Sequence, residues 1–186
     1  MIERVRKDLE RHGLGDRIIE FDTSSATVAL AAAALGCDPA RIAKSLAVLS
    51  GGRPMVIVAA GDARLHNGMF REAFGTRPDM MTPEEAHRHT GYRVGGVCPF
   101  ALPEGLPVYL DASLARFDRV YPAAGTHNSC VDLSTEELAR VLGGAWIRVC
   151  RIPEAPESAG ASGTAGATGS SGTPGGVSSP ASTGPG

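Results

Sequence analysis

Residues 90–100 read TGYRVGGVCPF. Gly91, Gly95, Gly96 and Pro99 fall in one short segment behind a predicted helix. Glycine has no Cβ, so such a loop can bring its backbone against a ligand. The N–H groups from Gly95 through Gly96 and Val97 to Cys98 are candidates to hold a carbonyl oxygen, or the oxyanion that develops in ester hydrolysis. Pro99 donates no hydrogen bond and fixes the loop's shape. A tight helix-to-strand connection explains the same residues, and the loop alone does not separate the two readings.

Outward from this loop, the sequence punctuates itself. On its N-terminal side, Thr82–Glu85 (TPEE) is a capping box with Pro83 at the first helical position, opening a helix that ends near Thr90-Gly91. Further back, Ala43–Leu49 and Met55–Ala60 read as two strands of a hairpin joined by Gly51-Gly52-Arg53-Pro54. A helix is expected over about 69–74, ending at Gly75. Ile2, Val5 and Leu9 recur at helical spacing before Gly13, and Arg17–Phe21 is a short strand candidate. Thr23–Ser25 is expected to cap the helix through TVALAAAAL, and Asp38-Pro39 to start a short turn. On the C-terminal side, Pro107–Leu110, Arg119–Ala123 and Ser129–Leu133 read as strands. A second capping box at Ser134–Glu137 opens a helix stopped by Gly143-Gly144, and Ala145–Cys150 closes the domain as a strand. Strands and helices do not alternate regularly enough for a doubly wound sheet, so the expected class is mixed α/β or α+β.

Composition bounds the rest. Residues 158–186 comprise 29 uncharged positions, all Gly, Ala, Ser, Thr or Pro except Val177. Such a run buries too little apolar surface to offset its ordering entropy. We therefore expect one domain over 1–153 and a disordered Gly/Ser/Ala/Thr/Pro-rich tail over 154–186. A formal net charge of -2 argues against broad nucleic-acid coating, while leaving room for a small site for an RNA end. Cys37, Cys98, Cys130 and Cys150 form no CxxC pair, so no zinc site is expected and no cofactor is implied. The start, MIERVRKDLE, lacks a signal-type apolar run, and no stretch approaches the roughly 20 apolar residues of a membrane span. The expectation is a cytoplasmic chain with reduced thiols and no membrane association.

Few side chains carry an obvious chemical role. Lys44 is one of only two lysines and lies where a turn passes into an apolar strand. An ammonium there, facing a cleft, binds a phosphate or polarises an acyl carbonyl. The bland reading is an ordinary exposed lysine. Cys98 has no histidine placed by a motif to activate it, so a small pocket-lining side chain is the better reading than a nucleophile. His87 and His89, two apart on a helix, point to different faces and make poor metal ligands. His127, in AAGTHNSC, lies in a loop between strands and is a candidate to hydrogen-bond a substrate amino group or ribose. Asp111 ends the strand PVYL and is suited to cap the following turn. Asp62 fits a turn better than a cleft. Phe100, Tyr92 and Phe117 read as core or pocket wall.

Taken in order, AAAALGCDPARIAKSLAV, VIVAAGDARL, TGYRVGGVCPF, LPVYLDASL and RVYPAAGTHNSCVDLSTEEL resemble the YbaK/EbsC family over about residues 2–150. This is the aminoacyl-tRNA deacylase domain also found inserted in bacterial prolyl-tRNA synthetases. The resemblance implies a curved, partly barrel-like mixed sheet with surrounding helices. It implies hydrolysis of the ester between an amino acid and the terminal adenosine of a mischarged tRNA. The family's near-invariant lysine falls on Lys44 and its substrate loop on Gly95–Pro99, with Phe100 beyond. A later glycine-containing loop falls on Ala124-Gly125, with His127 and Asn128 nearby. Pro99, Phe100, Asp111, Gly125, His127 and Asn128 are accordingly the expected substrate-binding set. The implied partners are the aminoacyl-tRNA 3′ end and prolyl-tRNA synthetase. Cys98 stands where many members have serine, and Ala101 where many have glycine. The segment RLHNGMF, residues 64–70, lacks the lysine-rich character of close YbaK members; these departures weaken a transfer of Cys-tRNA(Pro) specificity and leave alanine, serine or another acyl group open beside it. A non-catalytic tRNA-end or nucleotide-binding module, and a small-molecule ester or thioester hydrolase, are the alternatives.

Overall fold

The computed structural model describes residues 1–153, so the tail expected over 154–186 lies outside the described residues. The chain begins with α1 (Ile2–Glu10), a 3₁₀ turn, β1 (Ile18–Glu20), α2 (Val28–Leu35) and a second 3₁₀ turn (Pro39–Arg41). There follow β2 (Ile42–Ser50), β3 (Arg53–Ala60), β4 (Arg64–Leu65), α3 (Asn67–Phe74), β5 (Pro78–Met80) and α4 (Pro83–Thr90). After the glycine loop come β6 (Val108–Asp111), a 3₁₀ turn (Ala112–Arg116), β7 (Arg119–Pro122), β8 (Ser129–Val131) and β9 (Leu133–Ser134). The described chain closes with α5 (Thr135–Leu142), β10 (Ala145–Ile147) and β11 (Cys150–Arg151). The main sheet runs β10-β6-β3-β2-β7-β9, with β5 also paired to β2, and curls into a half-barrel. The fold is mixed α/β, as expected.

The β2–β3 hairpin is its frame. Gly51 and Gly52 take φ of 54° and 80°, the positive pair that a two-residue turn of the type favoured by hairpins requires. The strands pair from Ser50↔Arg53 to Ala43↔Ala60. Arg53 and Pro54 therefore belong to β3 rather than to the loop expected from sequence. Met55–Ala60 is buried throughout, because β3 is central, between β2 and a parallel β6. Both capping boxes form as read, with Thr82 and Ser134 accepting from the N–H groups of Glu85 and Glu137.

Several local expectations shift. The cap of α2 is Thr27, not Thr23–Ser25, since Ser24 and Ser25 are drawn instead to the carbonyl of His127. Helix α3 starts at Asn67 because the His66 ring accepts from Met69 N–H at 3.3 Å. Ser129–Leu133 splits at Asp132, which turns out to pair with Arg119 at 2.8 Å. Strands β4, β5 and β11 have two or three residues each, too few for periodicity to reveal.

Helix α1 fixes the glycine loop from outside. Val5 and Leu9 are buried in the main core, while Arg4 and Asp8, one turn apart, grip Ala101. Arg4 donates to the Ala101 carbonyl, and Asp8 accepts from its N–H at 2.8 Å. Ala101 holds φ of 46°, the left-handed region where glycine is at ease, so this grip retains a strained residue. Inside, Tyr92 is fully buried against Gly125, which has φ of 89°. A Cβ on Gly125 would lie 2.9 Å from Tyr92 Cε1 and 3.2 Å from Val5 Cγ2. Gly125→Ala is therefore expected to destabilise the protein by roughly 2–4 kcal/mol, combining left-handed strain with overpacking. Urea denaturation checks this, and an unchanged midpoint would contradict it.

Candidate active site

A cavity of about 250 Å³ opens between β2, the segment leading into α2, and the glycine loop. Strand β2 contributes Ile42–Ser45 and Ala47, and the α2 approach contributes Ser25–Val28. Met80 and Met81 close one side, Val94, Gly95 and Val97 another, and Tyr121, Ser129 and Cys130 lie on the wall. The Ala-rich sequence of α2 explains how the helix lies so close. Ala31 and Ala32 are buried against Ile42 of β2, where longer side chains would hold the helix away.

Lys44 stands half-buried on this wall. Its Nζ donates to the carbonyl of Gly61 at 3.0 Å and to that of Ala63. An ammonium has three N–H groups, so one is left for a substrate oxygen. Burial lowers the Lys44 pKa from its ordinary value, and Cys150 and Asp62 act in the opposite sense. Asp62 itself is held by a paired contact to Arg116, at 3.0 and 2.5 Å, which keeps its carboxyl below the usual range.

The glycine loop reaches the cavity by three residues, Val94, Gly95 and Val97. Gly96 packs behind it. A Cβ there would meet the Gly125 carbonyl at 3.3 Å, and its own N–H donates to Arg93 O at 3.0 Å. Among the described residues, the N–H groups of Gly95 and Val97 have no intramolecular acceptor. Close packing against Ala26 and Gly125 thus explains the two glycines, alongside any ligand approach.

The other expected residues are not brought to the cavity. Cys98, Pro99 and Phe100 turn into the core, so Cys98 is not the pocket-lining side chain expected. Its Sγ lies 3.7 Å from Phe100 O. Phe100 is fully buried and its carbonyl also accepts from the Tyr92 hydroxyl at 2.8 Å. Asp111 is buried and accepts from the N–H groups of Ser113, Val149 and Cys150 at 2.9–3.1 Å, a structural hub joining β6 to the start of β11. Gly125 packs on Tyr92. The His127 side chain is exposed, and its carbonyl accepts from Ser25 N–H at 2.6 Å. The Asn128 side chain donates to Phe21 O at 2.9 Å. His127 and Asn128 therefore pin residues 21–25 beside the cavity, and their position in a loop gave no sign of this.

The family profile described as "Aminoacyl-tRNA editing domain" matches residues 22–141, which carry every part of this cavity. The chain belongs to the aminoacyl-tRNA editing domain family. It is 42% identical over 152 residues to the uncharacterized protein YwhH of Bacillus subtilis (strain 168), covering 81% of this chain and 97% of that one. It is 23% identical over 145 residues to EbsC of Enterococcus faecalis (strain ATCC 700802 / V583), named as a candidate Cys-tRNA(Pro)/Cys-tRNA(Cys) deacylase, covering 76% and 88%. A crystal structure of a candidate trans-editing enzyme for prolyl-tRNA synthetase superposes with a TM-score of 0.74 at 30% identity, covering 81% of this chain and 96% of that one.

Sequence reading passed over Ser45, Thr27, Ser129 and Met81 in this editing domain. Ser45 had a signal, being a polar residue inside the otherwise apolar strand run that follows Lys44. Among the described residues, no group of three or more His, Cys, Asp or Glu is arranged to hold a metal ion. No described helix is long and apolar enough to cross a membrane.

Three of the four thiols are buried. Burial pushes Cys98, Cys130 and Cys150 each up to about 12, so they stay protonated at neutral pH. Cys37 is the partly exposed one. The folded protein is therefore expected to react at pH 7 with at most one equivalent of Ellman's reagent, at Cys37, and with all four thiols only after denaturation. Rapid modification of Cys98 would contradict its placement.

Proposed function

We propose that the chain is an aminoacyl-tRNA deacylase acting in trans on mischarged tRNA, with the acyl group seated in the β2 cavity. The observation that carries this is the meeting of Lys44 with Gly95 and Val97 on one small cavity in an editing-domain fold. A cavity of about 250 Å³ suits a small aminoacyl group and leaves the nucleoside outside. Met80 and Val94, both exposed at its edge, offer apolar surface to the terminal base.

In this reading the free N–H of Lys44 points its charge at the ester carbonyl or a neighbouring phosphate. The amides of Gly95 and Val97 hold the acyl oxygen as negative charge develops on it, the kind of preorganised donation that stabilises acyl-transfer transition states. Water adds to the carbonyl carbon, the bond to the ribose oxygen breaks, and that oxygen leaves as the tRNA hydroxyl. The neighbouring ribose hydroxyl orients the water. For a cysteinyl substrate, its own thiol is a second nucleophile: its sulfur bonds to the carbonyl carbon, the ribose oxygen leaves carrying the thiol's proton, and water then opens the resulting cyclic thioester to free cysteine. Prolyl-tRNA synthetase is the partner that would generate the substrate, with Cys- or Ala-tRNA(Pro) as the candidates.

Release of amino acid from Cys-, Ala-, Ser- and Pro-tRNA(Pro) tests the proposal. At least one mischarged species should turn over. Lys44→Ala should lower its rate by about 100-fold or more, comparable to removing one oxyanion donor. Its thermal transition should remain cooperative. Turnover of none of the three mischarged species, or full activity in Lys44→Ala, would contradict the proposal.

A further inference from the structure

One residue that lines the cavity, Ser45, carries a polar atom that the fold leaves unsatisfied. Ser45 Oγ is buried and has no hydrogen-bond partner among the described residues. Buried hydroxyls are nearly always paired, so an exception on a cavity wall calls for a partner that arrives from outside. The neighbouring serine and threonine hydroxyls are already engaged. Thr27 Oγ1 accepts from Leu30 N–H at 3.2 Å, Ser25 Oγ lies 3.3 Å from His127 O, and Ser129 Oγ lies 2.5 Å from Thr126 Oγ1.

The surroundings of Ser45 select what that partner can be. Alternation along β2 puts Ala43 and Ala47 on the same strand face as Ser45. Ala47 packs with Met81 and Ala86 in an apolar cluster that continues the cavity wall. A charged ammonium would lose its hydration in such a place, so the substrate's amino group is a poor match. A small neutral group with a polar hydrogen is a good one. Lys44 and Ser45 leave opposite faces of β2, yet both line the cavity where residues 44–47 lie between the pairings of β2 with β7 and with β5, so one acyl group can meet both.

We infer that Ser45 is a specificity-determining residue: it favours an acyl group bearing a hydroxyl or thiol on its β-carbon over the alanyl group. This rests on the deacylase reading for the nature of the ligand. Removing a hydrogen-bonding group from a ligand penalises binding most where the site's own polar atom is left unpaired.

The test measures binding of three stable analogues, the 3′-seryl, 3′-cysteinyl and 3′-alanyl amides of adenosine, alongside turnover of the matching charged tRNAs. The wild-type chain is expected to bind the seryl and cysteinyl amides at least ten-fold more tightly than the alanyl amide. Ser45→Ala should bring the three within about three-fold of one another. Its melting temperature should be unchanged or higher, since it removes an unpaired buried hydroxyl. Ser45→Cys, which keeps a weak donor, should fall between. Equal binding of all three amides by the wild type, or a uniform loss in both variants, would overturn the assignment. Preserved preference among the amides with no ester turned over would uphold Ser45 and contradict the deacylase reading alone.

Discussion

The Tyr92 hydroxyl donates at 2.8 Å to the carbonyl of Phe100 inside the core, and the loop between them is the one that reaches the cavity. Burial drives the phenol's pKa upward, so it remains a donor throughout the physiological range. A single such bond adds only about 1 kcal/mol net, yet leaving a buried carbonyl unpaired costs more. Its position matters more than its strength. The bond closes residues 92–100 on themselves, Gly125 seats the ring from one side, and Arg4 of α1 lies 5.7 Å from it on another. Arg4 and Asp8 then take the next residue, Ala101. The loop is thus anchored at both ends by groups that never touch the cavity, and Val94, Gly95 and Val97 between them line it.

The opposite wall depends on the hairpin. Long antiparallel pairing carries Lys44 to a fixed place on β2, opposite Ala59, where the chain beyond β3 turns back and offers the carbonyls of Gly61 and Ala63. A Cβ on Gly61 would lie 2.0 Å from Pro39 O, so glycine is needed for that turn to pass under the residues preceding β2. The ammonium loses hydration on the wall and recovers part of it from two backbone dipoles. This sets the direction of the ammonium where it stands half-buried on a partly apolar wall.

How much of this was legible follows from where each signal resides. The capping boxes at Thr82 and Ser134 are local chemistry, and they formed as read. The hairpin was legible because two apolar runs flank paired glycines. The Lys44 and Gly95 positions were singled out by rarity and by backbone chemistry, and the fold brings both to one cavity. Phe100, Asp111 and Gly125 were expected at the site from the family resemblance, and Cys98 from its place in the glycine loop. Sequence distance does not tell which side of the backbone faces the core, and those four face it. His127 and Asn128 act through a carbonyl and an amide on residues a hundred positions away. No local pattern records such a contact. Ser45 was overlooked because a serine in a strand carries meaning only once its neighbours are known to leave it unpaired.

Backbone amide shifts, recorded while a stable 3′-aminoacyl amide of adenosine is titrated into the protein, test the location of the site most directly. The largest saturable changes should fall at residues 43–47 and 94–97. Changes centred instead on the groove lined by Phe117, Asp118, Glu136 and Ala139, or no saturable change at all, would contradict the assignment of the β2 cavity as the aminoacyl site.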